Sequence, residues 1–381
     1  MSLNLYVTQI IGIAAVLLIL LRHQSWVLQA QVIVWSIGTA AIALRFGLVE
    51  QLSFYSNDQR QYTNIVRTFS DYFSIPDVDW WMSLSRFPYT LPAFVIHSVG
   101  IEPALALKTV SLMCLLLLTH YMLSAIQPLG RMRAVVTILF TGCGMIGLFF
   151  SALALRETMM MLLATRFVQT NSSPYRFFIA TLLLLLRPHL AVSLVMGALL
   201  VWGFQSLRRS RRETLMLVVI AVVGGSLAGW LLYSVGVSFA LGSQSFLSHS
   251  WGIQPVIRIT SNFFGLQFLT VGSHTVEFSL QSLLLLRLIL VETILIPSVF
   301  TLLIVTRPHR MHYRSMLITT SFSIYVGLVT NTDFNSFRQN IPFMPVMGLV
   351  ILAMTGSTPK ESTRPRIANS RLPVAKRIEV S

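Results

Sequence analysis

Charge is what this sequence has least of. Only 11% of its 381 residues are Asp, Glu, Lys or Arg, against about 25% in an ordinary soluble domain, too few to cover a water-facing globule of this size. A soluble enzyme is thereby excluded. Acid is scarcer still, with Asp+Glu 13 against Lys+Arg 28 and a net charge of +15. In a soluble chain that surplus would point to nucleic acid, which is not expected here as a partner. Between apolar runs it marks cytoplasmic loops and contact with anionic lipid headgroups. Cysteine is nearly absent too. Cys114 and Cys143 sit in apolar runs with no Cys or His at ligand spacing, which reads as two small core side chains. There is no GxxxxGK[ST] phosphate loop, no HExxH and no GxSxG. No internal repeat is visible, which weakens an inverted-repeat transporter. Met1 to Thr8 lacks the positive n-region of a secretion signal, so the run behind it reads as a membrane helix.

What the chain has in abundance is apolar length, with 54% hydrophobic residues and a mean hydropathy of +0.72. A hydrocarbon core of roughly 30 Å needs about 20 helical residues. Clear runs are Leu3 to Leu21, Trp26 to Leu44, Ala104 to Leu123, Leu215 to Val237, Leu283 to Val305, Met316 to Thr330 and Ile341 to Met354. Ala134 to Phe167 and Tyr175 to Phe204 are each longer than one span and carry charge at their centres. Arg156 and Glu157 interrupt the first, Arg187 and His189 the second, and Pro188 would break a helix there. Both stretches are expected to be hairpins of shorter helices.

That split also satisfies the positive-inside rule. It places Arg22, Arg131, Arg133, Arg166, Arg176, the Arg208 to Arg212 cluster, Arg307 to Arg314 and the tail on one side. The expected fold is all-α: a polytopic transmembrane helix bundle of about eleven spans over residues 1–355, N-terminus outside and C-terminus inside. Residues 356–381, rich in Ser, Pro and Arg, read as a disordered basic cytoplasmic tail. The outer face receives loops 50–103 and 242–281 and the turn Asn331 to Asn340. The first loop carries Trp80, Trp81, Phe87, Tyr89 and Phe94, a composition expected to form short interfacial helices. All five aspartates fall on that face, at 58, 71, 77, 79 and 333.

Asp58 lies in Asn57-Asp58-Gln59-Arg60-Gln61-Tyr62. In a helix Asp58 and Tyr62 share a face, and an aspartate beside the membrane could take a proton from an attacking hydroxyl. A helix-capping role is the alternative reading. Arg156 and Glu157 lie at a depth where charge costs roughly 2.5 to 3.5 kcal/mol each, so both should face the bundle interior or a wet cavity. Adjacent helical residues diverge by about 100°, so their partners must come from elsewhere. Arg187 and His189 are the nearest candidates, either as a structural ion pair or as part of an anion site. Arg338, in Phe337-Arg338-Gln339-Asn340, has the forked guanidinium that suits phosphate oxygens, or else anchors the chain at the interface. Asp58 and Glu157 could hold a divalent cation, but no spacing requires a metal.

Taken together these segments resemble the GT-C class of integral-membrane glycosyltransferases, which use polyprenyl-phosphate-linked sugars. Asn57-Asp58-Gln59-Arg60-Gln61-Tyr62 is similar to the aspartate and tyrosine of that class's first outer loop. Arg86-Phe87-Pro88-Tyr89-Thr90-Leu91-Pro92 resembles its Arg and Pro stretch, and Phe337-Arg338-Gln339-Asn340-Ile341-Pro342-Phe343-Met344-Pro345 its late Arg before a Pro-containing helix. Leu155-Arg156-Glu157 followed by Leu186-Arg187-Pro188-His189 also looks like bacterial surface-polysaccharide polymerases. Two features depart from the class: Asp58 follows the second span rather than the first, and a large extracytoplasmic C-terminal domain is missing. The resemblance implies transfer of a sugar from a polyprenyl-(pyro)phosphate carrier to a hydroxyl of a glycan or lipid acceptor at the outer face, within cell-envelope polysaccharide or glycoconjugate synthesis in a bacterial inner membrane. Asp58 would be the base, Arg156, Arg187 and Arg338 would hold leaving phosphate, and Glu157 would orient an arginine or bind acceptor. Tyr62, Arg86 and His189 would line the substrate site. A transporter or flippase for a lipid-linked glycan would use the same cationic cavity without a base. A non-catalytic scaffold would pair Arg156, Glu157 and Arg187 and leave no cavity.

Overall fold

The structure, a computed structural model, describes residues 2–46, 56–69, 86–126, 141–204, 216, 219–230, 253–264, 280–307, 312–330 and 340–355. Side chains at 46, 56–58, 204, 253–255, 258, 262, 280–291 and 330 are outside that description. So are Asp333, Arg338, most of loop 242–281 and the tail 356–381. Every regular element among the described residues is helical. In chain order they are α1 (Leu3–Leu20), α2 (Trp26–Phe46), α3 (Ser56–Arg67), α4 (Phe87–His97), α5 (Pro103–Ile126), α6 (Met145–Ala152) and α7 (Glu157–Gln169). Then follow α8 (Ser173–Leu186), α9 (Pro188–Phe204), α10 (Ile220–Trp230), α11 (Ile253–Phe263), α12 (Leu280–Thr306), α13 (Tyr313–Thr330) and α14 (Met344–Thr355). A 3₁₀ turn, Ile341–Phe343, leads into the last helix.

Three of the described helices are long and apolar enough to cross a membrane by length and composition: Leu3–Leu20, Trp26–Arg45 and Pro103–Ile126. The outward faces of α1 and α2 are apolar rather than polar, with Ile11 63% and Ile37 65% exposed. Water would not tolerate such a surface across two whole helices, whereas lipid would. These observations fit a membrane protein.

The expected hairpins form, and each breaks where the charges fall. The first run gives α6 and α7 on either side of 153–156, the second α8 and α9 on either side of Arg187. Pro188 opens α9 at a first-turn position, where its missing N–H costs nothing. At 8, 13 and 14 residues, α6, α7 and α8 extend only about 12 to 21 Å each.

Helix α5 is the hub, buried on nearly all sides. Against one side lie α1 and α2, sharing a core of Tyr6, Val32, Trp35, Leu105 and Leu112. On the other side α3, α4, α6 and α7 pack into the main core. Helix α3 shows why it docks there: Gln59, Tyr62, Ile65 and Val66 are buried while Arg60, Asn64 and Arg67 face out, one apolar stripe at helical spacing. The described helices of the first outer loop, α3 and α4, thus pack against the bundle through one face. Their tyrosines find partners inside it and need not snorkel. Cys114 and Cys143 are buried free thiols, as expected of core residues.

Two ionisable residues inside apolar runs went unread in the sequence. Lys108 is 1% exposed in α5, with its Nζ 5.8 Å from the centre of the Tyr6 ring. Glu292 is buried in α12, and its Oε1 accepts from the Gly142 N–H. Gly142 has φ of 80°, a left-handed turn that glycine adopts without a Cβ clash. That turn precedes α6, whose Ile146 N–H also donates to Glu292, so the carboxylate satisfies one of the amides a helix start leaves open.

The α4–α5 connection carries a pH-dependent contact. Glu102 caps α5 by accepting from Leu105 N at 2.8 Å, and its own N–H donates to Gln9 Oε1 at 3.2 Å. Burial lifts its carboxyl above the ordinary value, opposed by the Leu105 and Ala104 amides and by Arg67 and His97. A raised folded-state pKa means the proton favours the folded form. Stability from this group is complete below the unfolded carboxylate pKa and declines as pH rises through the raised one. Glu102→Gln keeps an acceptor but cannot ionise, so thermal unfolding followed across that window should lose this slope; an unchanged slope would assign it elsewhere.

Candidate functional site

The Arg156–Glu157 pair lies at the tip of a hairpin that enters the bundle and returns. Gln31 Nε2 donates both to Thr119 Oγ1 of α5 and to the Cys143 carbonyl, at 2.9 and 2.7 Å, so the start of α6 lies beside Thr119. Farther on, Gly147 packs on Leu115, and at the tip the Leu155 carbonyl accepts from Ser111 Oγ at 2.9 Å. Helix α6 therefore runs antiparallel to α5. Helix α7 then turns back, because Arg166 lies over the Tyr121 ring at 4.2 Å. The tip sits eight residues into α5, about 12 Å along it.

The turn itself is strained. Ala154 has φ of 57°, a left-handed conformation unusual for a residue with a Cβ, and such outliers persist only where surroundings hold them. Here two neighbours do so. Gln59 of α3 donates to the Leu153 carbonyl and Ser111 of α5 to the Leu155 carbonyl, one on each side of Ala154. Leu155 N reaches back to the Phe150 carbonyl at 3.3 Å.

The same contacts gather the loop residues. With the Ser111 proton on the Leu155 carbonyl, the Tyr89 hydroxyl of α4 donates to Ser111 Oγ at 2.7 Å and lies 3.2 Å from the Leu107 carbonyl. Tyr62 of α3 meets Tyr89 edge-on, ring centres 5.6 Å apart, and Arg86 lies 5.8 Å over the Tyr62 ring. Glu157, fully buried, is close enough to act electrostatically on Tyr89. Arg156 is half-buried, with its Nε shielded from solvent and lacking an acceptor. Tyr62, Tyr89 and Arg86 therefore pack together from two segments, next to the hairpin tip that carries Arg156 and Glu157. Asp58 belongs to the same α3, one turn before Tyr62, and its side chain is outside the described residues.

Arg187 and His189 reach the same level from the next hairpin. From Thr170 to Ser172 the chain reverses, and the 14 residues of α8 climb about as far as the 13 of α7 descend. Both side chains are half-buried and interact electrostatically with each other. Arg338 lies outside the described residues. The turn that follows it, Asn340 and Ile341–Phe343, is buried against α7.

Sequence reasoning missed the residues that position this site. Gln59, Tyr89 and Ser111 touch the strained turn or its neighbours, yet each is a single polar residue in a favourable helical context. Ser111 and Lys108 inside an apolar run were the available signal, since a polar residue in a span asks for a partner. No group of three or more His, Cys, Asp or Glu side chains that could hold a metal occurs among the described residues. Comparison with protein-family models, with curated proteins and with solved structures finds no match to this chain.

Proposed function

We propose that the chain is a polytopic membrane glycosyltransferase that moves a sugar from a polyprenyl-(pyro)phosphate carrier to an acceptor hydroxyl. The observation that carries this reading is the packing of Arg86, Tyr62 and Tyr89 against the strained hairpin tip that bears Arg156 and Glu157, inside an apolar bundle. Half-buried cations and a buried carboxylate supplied by different segments, beside a backbone outlier, are what electrostatic preorganisation needs. In this reading Asp58 takes the acceptor proton, Glu157 orients an arginine or the acceptor, and Arg86, Arg156, Arg187 and Arg338 hold the phosphate that leaves. Low dielectric strengthens each of those contacts. The topology proposed with it has about eleven spans, the site on the outer side, the basic ends and tail in the cytoplasm, and a bacterial inner membrane as its setting. It draws support from Arg166, Arg176 and Arg314, which the positive-inside rule assigns to one side and which lie at one end of the bundle.

Binding of a short-chain polyprenyl phosphate to the detergent-purified chain tests the phosphate assignment. Arg86→Gln should weaken it about tenfold or more, as loss of a desolvated charge-assisted contact does. Equal affinity in the variant would remove Arg86 from the site.

A further inference from the structure

At the opposite end of the bundle from the candidate site, three arginines from three helices close a ring with tyrosines between them. Arg166 of α7 lies 4.2 Å from the centre of the Tyr121 ring and 5.5 Å from that of Tyr175. Next to Tyr175, Arg176 of α8 donates from Nη1 to the Tyr313 hydroxyl at 3.5 Å. Arg314, adjacent in α13, donates from Nη2 to the Gln169 carbonyl at 3.3 Å, and Gln169 lies one turn beyond Arg166.

None of these three guanidiniums pairs with a carboxylate among the described residues, and the Nε atoms of Arg166 and Arg176 are shielded from solvent with no acceptor. A desolvated guanidinium N–H without an acceptor is costly. Arg166 against the Tyr175 ring and Arg176 next to Tyr175 in sequence and bonded to the Tyr313 hydroxyl bring two such guanidiniums to one end of the bundle, donors suited to an oxyanion. The neighbouring surface identifies which one. Beside Arg176, Phe177 is 77% and Phe178 56% exposed, and Leu184 continues that face two turns along α8. An oxyanion bound here has hydrocarbon surface running away from it along the helix, the geometry of a headgroup above its acyl chains.

We infer that Arg166, Arg176 and Arg314 form an inner-leaflet binding site for the phosphodiester of an anionic phospholipid, whose acyl chains lie along the Phe177–Phe178–Leu184 face of α8. The site rests on the membrane-spanning reading of the bundle and is independent of the transferase reading, because no residue of the hairpin tip takes part.

The test uses the full chain in detergent micelles doped with phosphatidylglycerol, with phosphatidylcholine, or with inorganic phosphate and no added lipid. Thermal unfolding and native mass spectrometry are the readouts. Phosphatidylglycerol should raise the unfolding midpoint above that in phosphatidylcholine and remain bound in the gas phase. Arg176→Gln should lose at least half of that shift, and Arg166→Gln with Arg176→Gln should lose all of it. An undiminished shift in Arg176→Gln overturns the site. So does an equal shift with phosphatidylcholine, and a shift with inorganic phosphate as large as that with lipid would make it a soluble-anion site instead. If the double variant does not fold, Arg176→Gln decides alone, since its side chain gives up only one long hydrogen bond to Tyr313.

Discussion

Glu157→Gln should abolish sugar transfer while leaving the protein folded and able to bind carrier lipid. Glu157 is fully buried at the first position of α7, directly after Arg156 at the hairpin tip. Glutamine has the same size and can still accept a hydrogen bond, so packing at the tip is kept. What it lacks is the carboxylate charge that orients an arginine or the acceptor. Loss of one preorganised electrostatic contact typically costs about 10²- to 10³-fold, and a loss in that range is expected in turnover. Carrier affinity should change far less, because the donors to phosphate remain. A parallel fall in affinity and turnover would make Glu157 a binding residue only. Unaltered turnover would leave the hairpin tip a structural device.

Gly327→Val should prevent the bundle from assembling. Helices α10 and α13 lie against each other through glycine on both sides. A Cβ on Gly327 would meet the carbonyl carbon of Ser226 at 2.8 Å and the backbone N of Trp230 at 2.9 Å, and it would overlap the Ser226 oxygen. The reciprocal position is as tight, with Gly229 against the Ile324 carbonyl and Leu328 N at 3.0 Å. No rotamer change relieves a clash with backbone, so the helices must separate. Apolar chains drive little association between helices in lipid, and close backbone approach through small residues supplies it instead. Overpacking of a tight interface costs about 1 to 3 kcal/mol in ordinary cores and more where backbone is struck. A loss of monodisperse protein on size exclusion, or a large fall in unfolding midpoint, is the expected outcome. Gly203, which has nothing within 4 Å of its built Cβ, serves as control, and Gly203→Ala should be tolerated. Equal tolerance at 327 would mean that α10 and α13 lie farther apart.

How far the sequence could be read depended on whether a residue changed its surroundings. Charge in the middle of overlong apolar runs was legible, and both hairpins break where Arg156–Glu157 and Arg187–Pro188 predicted, because charge and proline each make a continuous buried helix costly. The ends of α1 and α2 were legible for the same reason: apolar length stops where polar residues begin. Lys108, Ser111 and Glu292 were passed over since one polar residue hardly alters the hydropathy of a long run. Their meaning comes from partners far away in sequence: Tyr6, Tyr89 with Leu155, and Gly142. Composition of the aromatic loop predicts short helices but not what they pack on: α3 and α4 lie against α5, where Tyr62 and Tyr89 bury their rings and Ser111 bonds the Tyr89 hydroxyl. Nor could sequence show that Gln59, one residue from Asp58, would hold the strained turn beside Glu157.

That link between the Asp58 helix and the hairpin tip makes Asp58→Asn the most direct test of the central claim. The chain would be reconstituted with radiolabelled polyprenyl-phosphate and polyprenyl-diphosphate sugars, and transfer to acceptor and binding of the free carrier measured side by side. The account predicts that the variant binds carrier as the parent does and transfers sugar at least about 10²-fold more slowly. Asp58→Asn protein that transfers sugar at the parent rate, or that carries the intact lipid-linked sugar across the membrane undiminished, would contradict it.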